Sequence, residues 1–64
     1  TQGTKYFSYL LDQVGTTTTL LRPIGRASFN GETVDVVARD GFIEKDVAVV
    51  VVAVEGQRVV VVEK

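Results

Sequence analysis

The stretch "GRASFNGETVDVVA", Gly25 to Ala38, decides the fold class. Asn30 and Gly31 are the preferred pair for a two-residue type I′ turn, because both turn positions need a positive φ. The cross-strand pairs that such a turn implies are Phe29 with Glu32, Ser28 with Thr33, Ala27 with Val34, and Arg26 with Asp35. One face of this hairpin is apolar and the other carries hydroxyls and an ion pair, so the stretch predicts two antiparallel strands covering a core.

Turn signals recur about every ten residues from Val14 onward, a spacing typical of a small sandwich or barrel. Three further strands are predicted, at 14–22, 47–54 and 58–64. Five strands in this order favour a five-stranded antiparallel OB-like β-barrel, with 39–46 standing where that fold often carries a helix. An SH3-like barrel is the alternative.

The last two predicted strands are almost entirely valine, so periodicity alone must assign their faces. A two-residue turn near Gly56 gives two regular faces, and only a bulge would mix them. The predicted inner face consists of Val50, Val52, Val54, Val59 and Val61. The predicted outer face consists of Val49, Val51, Ala53, Val60 and Val62.

Residues 1–13 differ in composition from the rest and are interpreted as a linker or N-terminal segment, with the barrel domain at 14–64. Their apolar side chains recur at helical spacing, which predicts one or two helical turns packing against the barrel. These side chains are Tyr6, Phe7, Leu10 and Leu11.

The composition argues against several classes of function. The net charge of −1 gives no general attraction to nucleic acid or anionic lipid. The chain has no cysteine and no histidine, so Ser8 and Ser28 lack the usual base and the common metal ligands are absent. The carboxylates at positions 35, 40, 44 and 46 follow no EF-hand spacing and are interpreted as solvated loop charges. We therefore expect no catalytic residue, metal or cofactor.

Two blocks of sequence form a specific pattern. The first comprises Gly15, Thr19, Leu21-Arg22-Pro23, Gly25 and Arg26, and the second is "GFIEK", Gly41 to Lys45. Between and after them stand "NGETVDVVA", a hydrophobic strand, a glycine turn and a final valine strand. This pattern resembles the C-terminal soluble domain of the NfeD family. The chain departs from the family pattern in two places, because the family usually has glycine where this chain has Asp46 and again near Asp12. Aspartate tolerates left-handed backbone better than most residues, so Asp46 is expected to preserve the turn with some strain.

The resemblance implies an OB-fold domain tethered after transmembrane helices that lie outside this chain, itself soluble and facing the cytoplasm. It also implies a non-catalytic interaction module that acts in membrane protein quality control or in stomatin- and flotillin-type assemblies. Longer family members add a serine protease domain, none of which lies in this chain. The alternative function is single-stranded nucleic-acid binding, which many OB-folds perform on the outer face of their second and third strands. That face is predicted here to carry no aromatic residue, which makes nucleic acid the weaker hypothesis.

The candidate interaction surface is the predicted outer valine face together with Phe42 and Ile43. The valine face is either covered by the N-terminal segment or docks another copy or a membrane-protein partner. Phe42 and Ile43 either plug one end of the barrel or form an exposed hydrophobic loop tip for a partner.

Overall fold

The computed structural model describes residues 8–64. The elements in this part of the chain are a 3₁₀ turn at Ser8–Leu10 and strands β1 (Val14–Thr17), β2 (Ile24–Phe29), β3 (Glu32–Ala38), β4 (Ala48–Glu55) and β5 (Arg58–Glu63). The strands close into a barrel in the order β1-β2-β3-β5-β4, with β4 returning to β1. The five-stranded OB-like barrel expected from the sequence is confirmed.

One strand pair differs from the antiparallel arrangement that the sequence predicts. The β3–β5 pair is parallel and joins Val37 to Val60, whereas the other four pairs are antiparallel. A closed ring of five strands cannot alternate direction at every pair, because five is odd. One parallel pair is therefore a geometric requirement of closure.

The β2–β3 hairpin has the register that its turn predicts. Asn30 and Gly31 both have positive φ, 54° and 85°. Ala27 pairs with Val34 and lies in the core, while Arg26 pairs with Asp35 outside. The Arg26 Nε and Asp35 Oδ1 atoms are 3.1 Å apart, although both side chains are mostly exposed. A two-residue turn with strong local preferences thus fixes a whole sheet register.

Strand β1 is shorter than the predicted 14–22, because the chain leaves the sheet after Thr17. The Thr18 N–H donates to the Arg26 carbonyl at 2.9 Å, and Thr19 Oγ1 accepts the Arg26 N–H at 3.0 Å. These bonds curl the threonine-rich stretch into a loop over the start of β2. β-branched residues favour strands, but local hydroxyl bonds to the backbone compete with the ladder here.

The two ends of the barrel are closed by segments outside the sheet. Leu10 of the 3₁₀ turn is buried and its turn packs against β4, while Leu11 is exposed. Tyr6 and Phe7 lie outside the described residues. At the other end, Leu21 and Ile43 are buried and their backbones exchange two hydrogen bonds, of 2.8 and 3.1 Å. The loop after β3 therefore occupies the position that a helix fills in larger barrels of this type.

A β-bulge at Val52 changes the predicted faces of β4. Glu55 pairs with Arg58 and Val54 with Val59, but the register shifts between Val51 and Ala53. The extra residue reverses the inward and outward alternation for the first half of the strand. Val49 and Val51, predicted to lie outside, are fully buried, whereas Val50 and Val52, predicted to fill the barrel, lie outside. The predicted faces of Val54, Val59, Val61, Ala53, Val60 and Val62 agree with the structure.

Candidate functional site

The outside of the barrel carries a continuous apolar surface, here named the outer belt. Cross-strand partners point to the same face of a sheet, so the register alone defines the belt. One row joins Ile24, Val37, Val60 and Ala53 across β2, β3, β5 and β4. A second row joins Val62, Val50 and Val14 across β5, β4 and β1, and the bulged Val52 lies between the rows.

The members of the outer belt are accessible to a partner to different degrees. Ile24 is the most open, with 69% of its surface exposed, followed by Val14 at 48% and Val52 at 37%. The other members are half-buried by their neighbours. Contiguous apolar surface of this kind marks interaction sites more often than scattered single residues do.

An open groove of about 560 Å³ crosses the first row of the belt. Its floor is apolar and its rim is charged, with Arg39 on one side and Glu55 and Arg58 on the other. The apolar lining residues are Pro23, Val37, Ala38, Gly41, Val52, Ala53 and Val60. An apolar floor with a few charged groups at the edge is the usual composition of a recognition site.

The two arginines at the rim differ in their surroundings. The Arg39 Nε atom lies 3.7 Å from Asp40 Oδ1, and both side chains are exposed. Arg58 stands opposite Glu55 in the β4–β5 register but forms no ion pair with any residue of the described range 8–64. Its guanidinium is therefore available to a ligand.

The structure divides the candidate surface named from the sequence. Ala53, Val60 and Val62 belong to the outer belt, and Ala53 and Val60 line the groove. Val49 and Val51 are in the core and cannot contact a partner. Phe42 and Ile43 also separate: Ile43 is 3% exposed and plugs the barrel, whereas Phe42 is 49% exposed on the same loop. The plug interpretation therefore holds for Ile43 and not for Phe42.

Sequence reasoning missed five members of the outer belt and one residue of the groove, which are Val14, Ile24, Val37, Val50 and Val52 in the belt and Arg58 in the groove. Val37 could have been found, since alternation from Val34 and Val36 already places it outside. The residues that lie beside Val37 in the belt could not have been found, because the pairing of β3 with β5 follows from barrel closure and not from a local sequence pattern. The bulge left no signal either, since the run around it contains only valine and alanine.

The outer face of β2 and β3 binds single strands in many barrels of this class, and here the half of it nearest the Asn30-Gly31 turn is polar. It carries Ser28 opposite Thr33 and the Arg26–Asp35 ion pair. Base stacking needs exposed aromatic rings, and neither strand places one on this face. Among residues 8–64, no group of three or more acidic side chains gathers closely enough to hold a metal ion.

The sequence model of the NfeD-like C-terminal, partner-binding domain matches residues 8–63. The chain belongs to the NfeD family. It is 48% identical over 52 residues to the membrane protein NfeD1b of Bacillus subtilis (strain 168), a match that covers 81% of this chain. The chain spans only 12% of the length of that relative.

A solved structure agrees with this assignment. The C-terminal domain of stomatin operon partner protein 1510-C from Pyrococcus horikoshii superposes with a TM-score of 0.83 and 28% sequence identity. The superposition covers 100% of this chain and 97% of that domain. Like that NfeD-type domain, this chain is an all-β barrel, and its family is described as partner-binding. In the described part of the chain, no helix is long and apolar enough to span a bilayer.

Proposed function

We propose that this chain is the non-catalytic binding end of a membrane-anchored protein and captures a stomatin- or flotillin-type membrane protein through the outer belt. The observation that carries the proposal is the continuity of the belt across all five strands, which leaves exposed apolar side chains such as Ile24 and Val14 without cover from residues 8–64. A family described as partner-binding supports a protein as the occupant.

The names of two similar proteins support the finer parts of the proposal. One is a membrane protein, which supports membrane anchoring of the parent chain. We further propose that this domain faces the cytoplasm. The other is the product of a stomatin operon, which supports a stomatin-type partner. Binding of this kind would recruit the parent protein to stomatin-type assemblies or to the quality control of membrane proteins.

The test compares two exposed positions on the outside of the barrel. Ile24→Glu places a charge in the outer belt, and Thr33→Glu places the same charge on the polar face of β3. We expect Ile24→Glu to weaken binding to a stomatin-type protein of the same organism, held in nanodiscs, at least tenfold, or about 1.4 kcal/mol. Thr33→Glu should leave the Kd within about twofold of the unsubstituted chain.

Biolayer interferometry gives both Kd values, and circular dichroism checks that each variant is folded. Equal weakening by the two variants would show that charge alone, and not the belt, governs binding. Absence of binding by the unsubstituted chain would reject the stomatin-type partner.

A further inference from the structure

We propose that the groove holds a short apolar segment of the partner that carries a carboxylate, and that Arg58 receives this carboxylate. The inference rests on the proposed function, because it names the part of the partner that the outer belt holds. Three features of the groove lead to it: its size, the absence of a free strand edge beside it, and its charge.

The size of the groove suits a few side chains. Its volume of about 560 Å³ lies within the range of sites that enclose one small ligand, roughly 300–1,000 Å³. Val37, Val60 and Ala53 form its floor, so apolar side chains are the groups that gain most from entering it. A short segment with two or three apolar side chains suits a space of this size.

The barrel excludes the commonest way of binding a peptide beside a sheet. A peptide that adds as a strand needs a free edge. At the floor of the groove the edges are occupied, because Val37 of β3 pairs with Val60 of β5, which also pairs with Ala53 of β4. The segment must therefore be recognised by its side chains in the groove. This mode depends on the chemistry of those side chains, which makes it selective.

The charge of the groove selects an acidic group. Two arginines and one glutamate line it. Asp40 offsets the charge of Arg39, whereas Arg58 forms no ion pair with residues 8–64 and is the cation that the groove offers to a ligand. A guanidinium binds a carboxylate through two parallel hydrogen bonds, which fixes orientation as well as sign. An exposed pair of this kind contributes selectivity more than affinity.

The experiment selects a random peptide phage library on the folded chain, so that no natural partner is needed. We expect the enriched sequences to combine two or more apolar residues with one aspartate or glutamate. Selection on Arg58→Glu should enrich lysine or arginine in place of the acid. Arg26→Glu makes the same charge change on the polar face of β2 and should leave the selected motif unchanged.

Synthetic versions of the selected peptides provide the affinities by fluorescence polarisation. We expect Arg58→Glu to weaken the binding of an acidic peptide at least fivefold. Glu55→Gln should strengthen it about twofold, because it removes the like charge from the rim. Val60→Thr, which keeps the shape of the floor and adds a hydroxyl, should weaken all selected peptides.

Several results would overturn the inference. These are the absence of enrichment, acidic motifs that bind Arg58→Glu equally well, and basic motifs selected on the unsubstituted chain. Self-association of the chain that is lost in Val60→Thr would assign the groove to a second copy instead. The proposed function is tested separately by Ile24→Glu, so peptide selection can fail while partner binding through the belt persists, and the reverse can also occur.

Discussion

Asp12 and Asp46 adopt left-handed backbone conformations, with φ of 68° and 63°. Glycine is the residue that enters this region without steric cost. At Asp46 the conformation directs the backbone N–H to the Thr17 carbonyl at 2.9 Å. Thr17 Oγ1 in turn donates to the Glu44 carbonyl at 2.7 Å and accepts the Val47 N–H at 2.9 Å. The strain at Asp46 is thus held by hydrogen bonds that fasten the plugging loop to β1.

Replacing Asp46 with glycine tests the backbone strain. We expect Asp46→Gly to raise the free energy of unfolding by about 0.5–1 kcal/mol. The relief of left-handed strain in the folded state exceeds the cost of the greater conformational entropy that glycine gives the unfolded chain. Asp40→Gly is the matched control in the same loop, where φ is not positive, and should lower stability by a few tenths of a kcal/mol. Urea denaturation measures both values. Lower stability of Asp46→Gly would mean that the aspartate side chain makes a stabilising interaction that outweighs the backbone strain.

Gly25 shows a second use of glycine at residue scale. A Cβ added there would lie 2.6 Å from the Leu20 carbonyl oxygen and 2.7 Å from Thr19 Oγ1, and would also collide with the Leu21 side chain. The residue is therefore needed for close approach of β2 to the loop that precedes it. Close packing alone therefore explains why glycine occupies position 25, two residues after Leu21-Arg22-Pro23.

At the scale of elements, the bulge in β4 determines which valines face the core. Without it, Val52 would point inward and Val51 outward. With it, Val49 and Val51 join Val59 and Val61 as fully buried residues. The bulge also directs Val52 into the groove. One additional residue in the ladder therefore builds part of the core and part of the candidate site together.

Two alanine substitutions on either side of this register shift test the bulge. We expect Val51→Ala to lower the free energy of unfolding by about 2–3 kcal/mol, because it removes two buried methyl groups and leaves a cavity. Val52→Ala, one residue away and 37% exposed, should cost about 0.5 kcal/mol. Urea denaturation of both variants checks the difference. A larger loss of stability in Val52→Ala than in Val51→Ala would contradict the bulge and support the regular register that the sequence alone predicts.

The elements differ in how much of them the sequence reveals. The β2–β3 hairpin was predictable to the residue, because Asn30 and Gly31 fix the turn and polar residues mark its outer face. The β4–β5 hairpin was predictable only as an element. Its outer face is as apolar as its inner face, so no polar residue reports the register. The same lack of polar residues creates the outer belt, which is why the candidate site was the least predictable part of the fold.

At the scale of the whole molecule, the barrel separates two outer surfaces of opposite character. The outer surface of β2 and β3 near their connecting turn is polar and carries the Arg26–Asp35 ion pair. The outer belt begins at the opposite end of these two strands and spans all five strands with valine, isoleucine and alanine. Closure gives each of the five strands a neighbour on both sides, which limits the aggregation that such valine-rich strands would otherwise promote. The belt can therefore remain apolar and serve recognition through its side chains.

The most direct test of binding through the outer belt is methyl NMR of the chain labelled at valine and threonine, with an unlabelled stomatin-type protein in nanodiscs. Methyl signals remain observable in such large complexes and report each side chain separately. We predict that the signals of Val37, Val52 and Val60 lose intensity on addition of the partner, while that of Thr33 on the polar face stays unchanged. Loss of the Thr33 signal with unaffected belt valines would contradict the account.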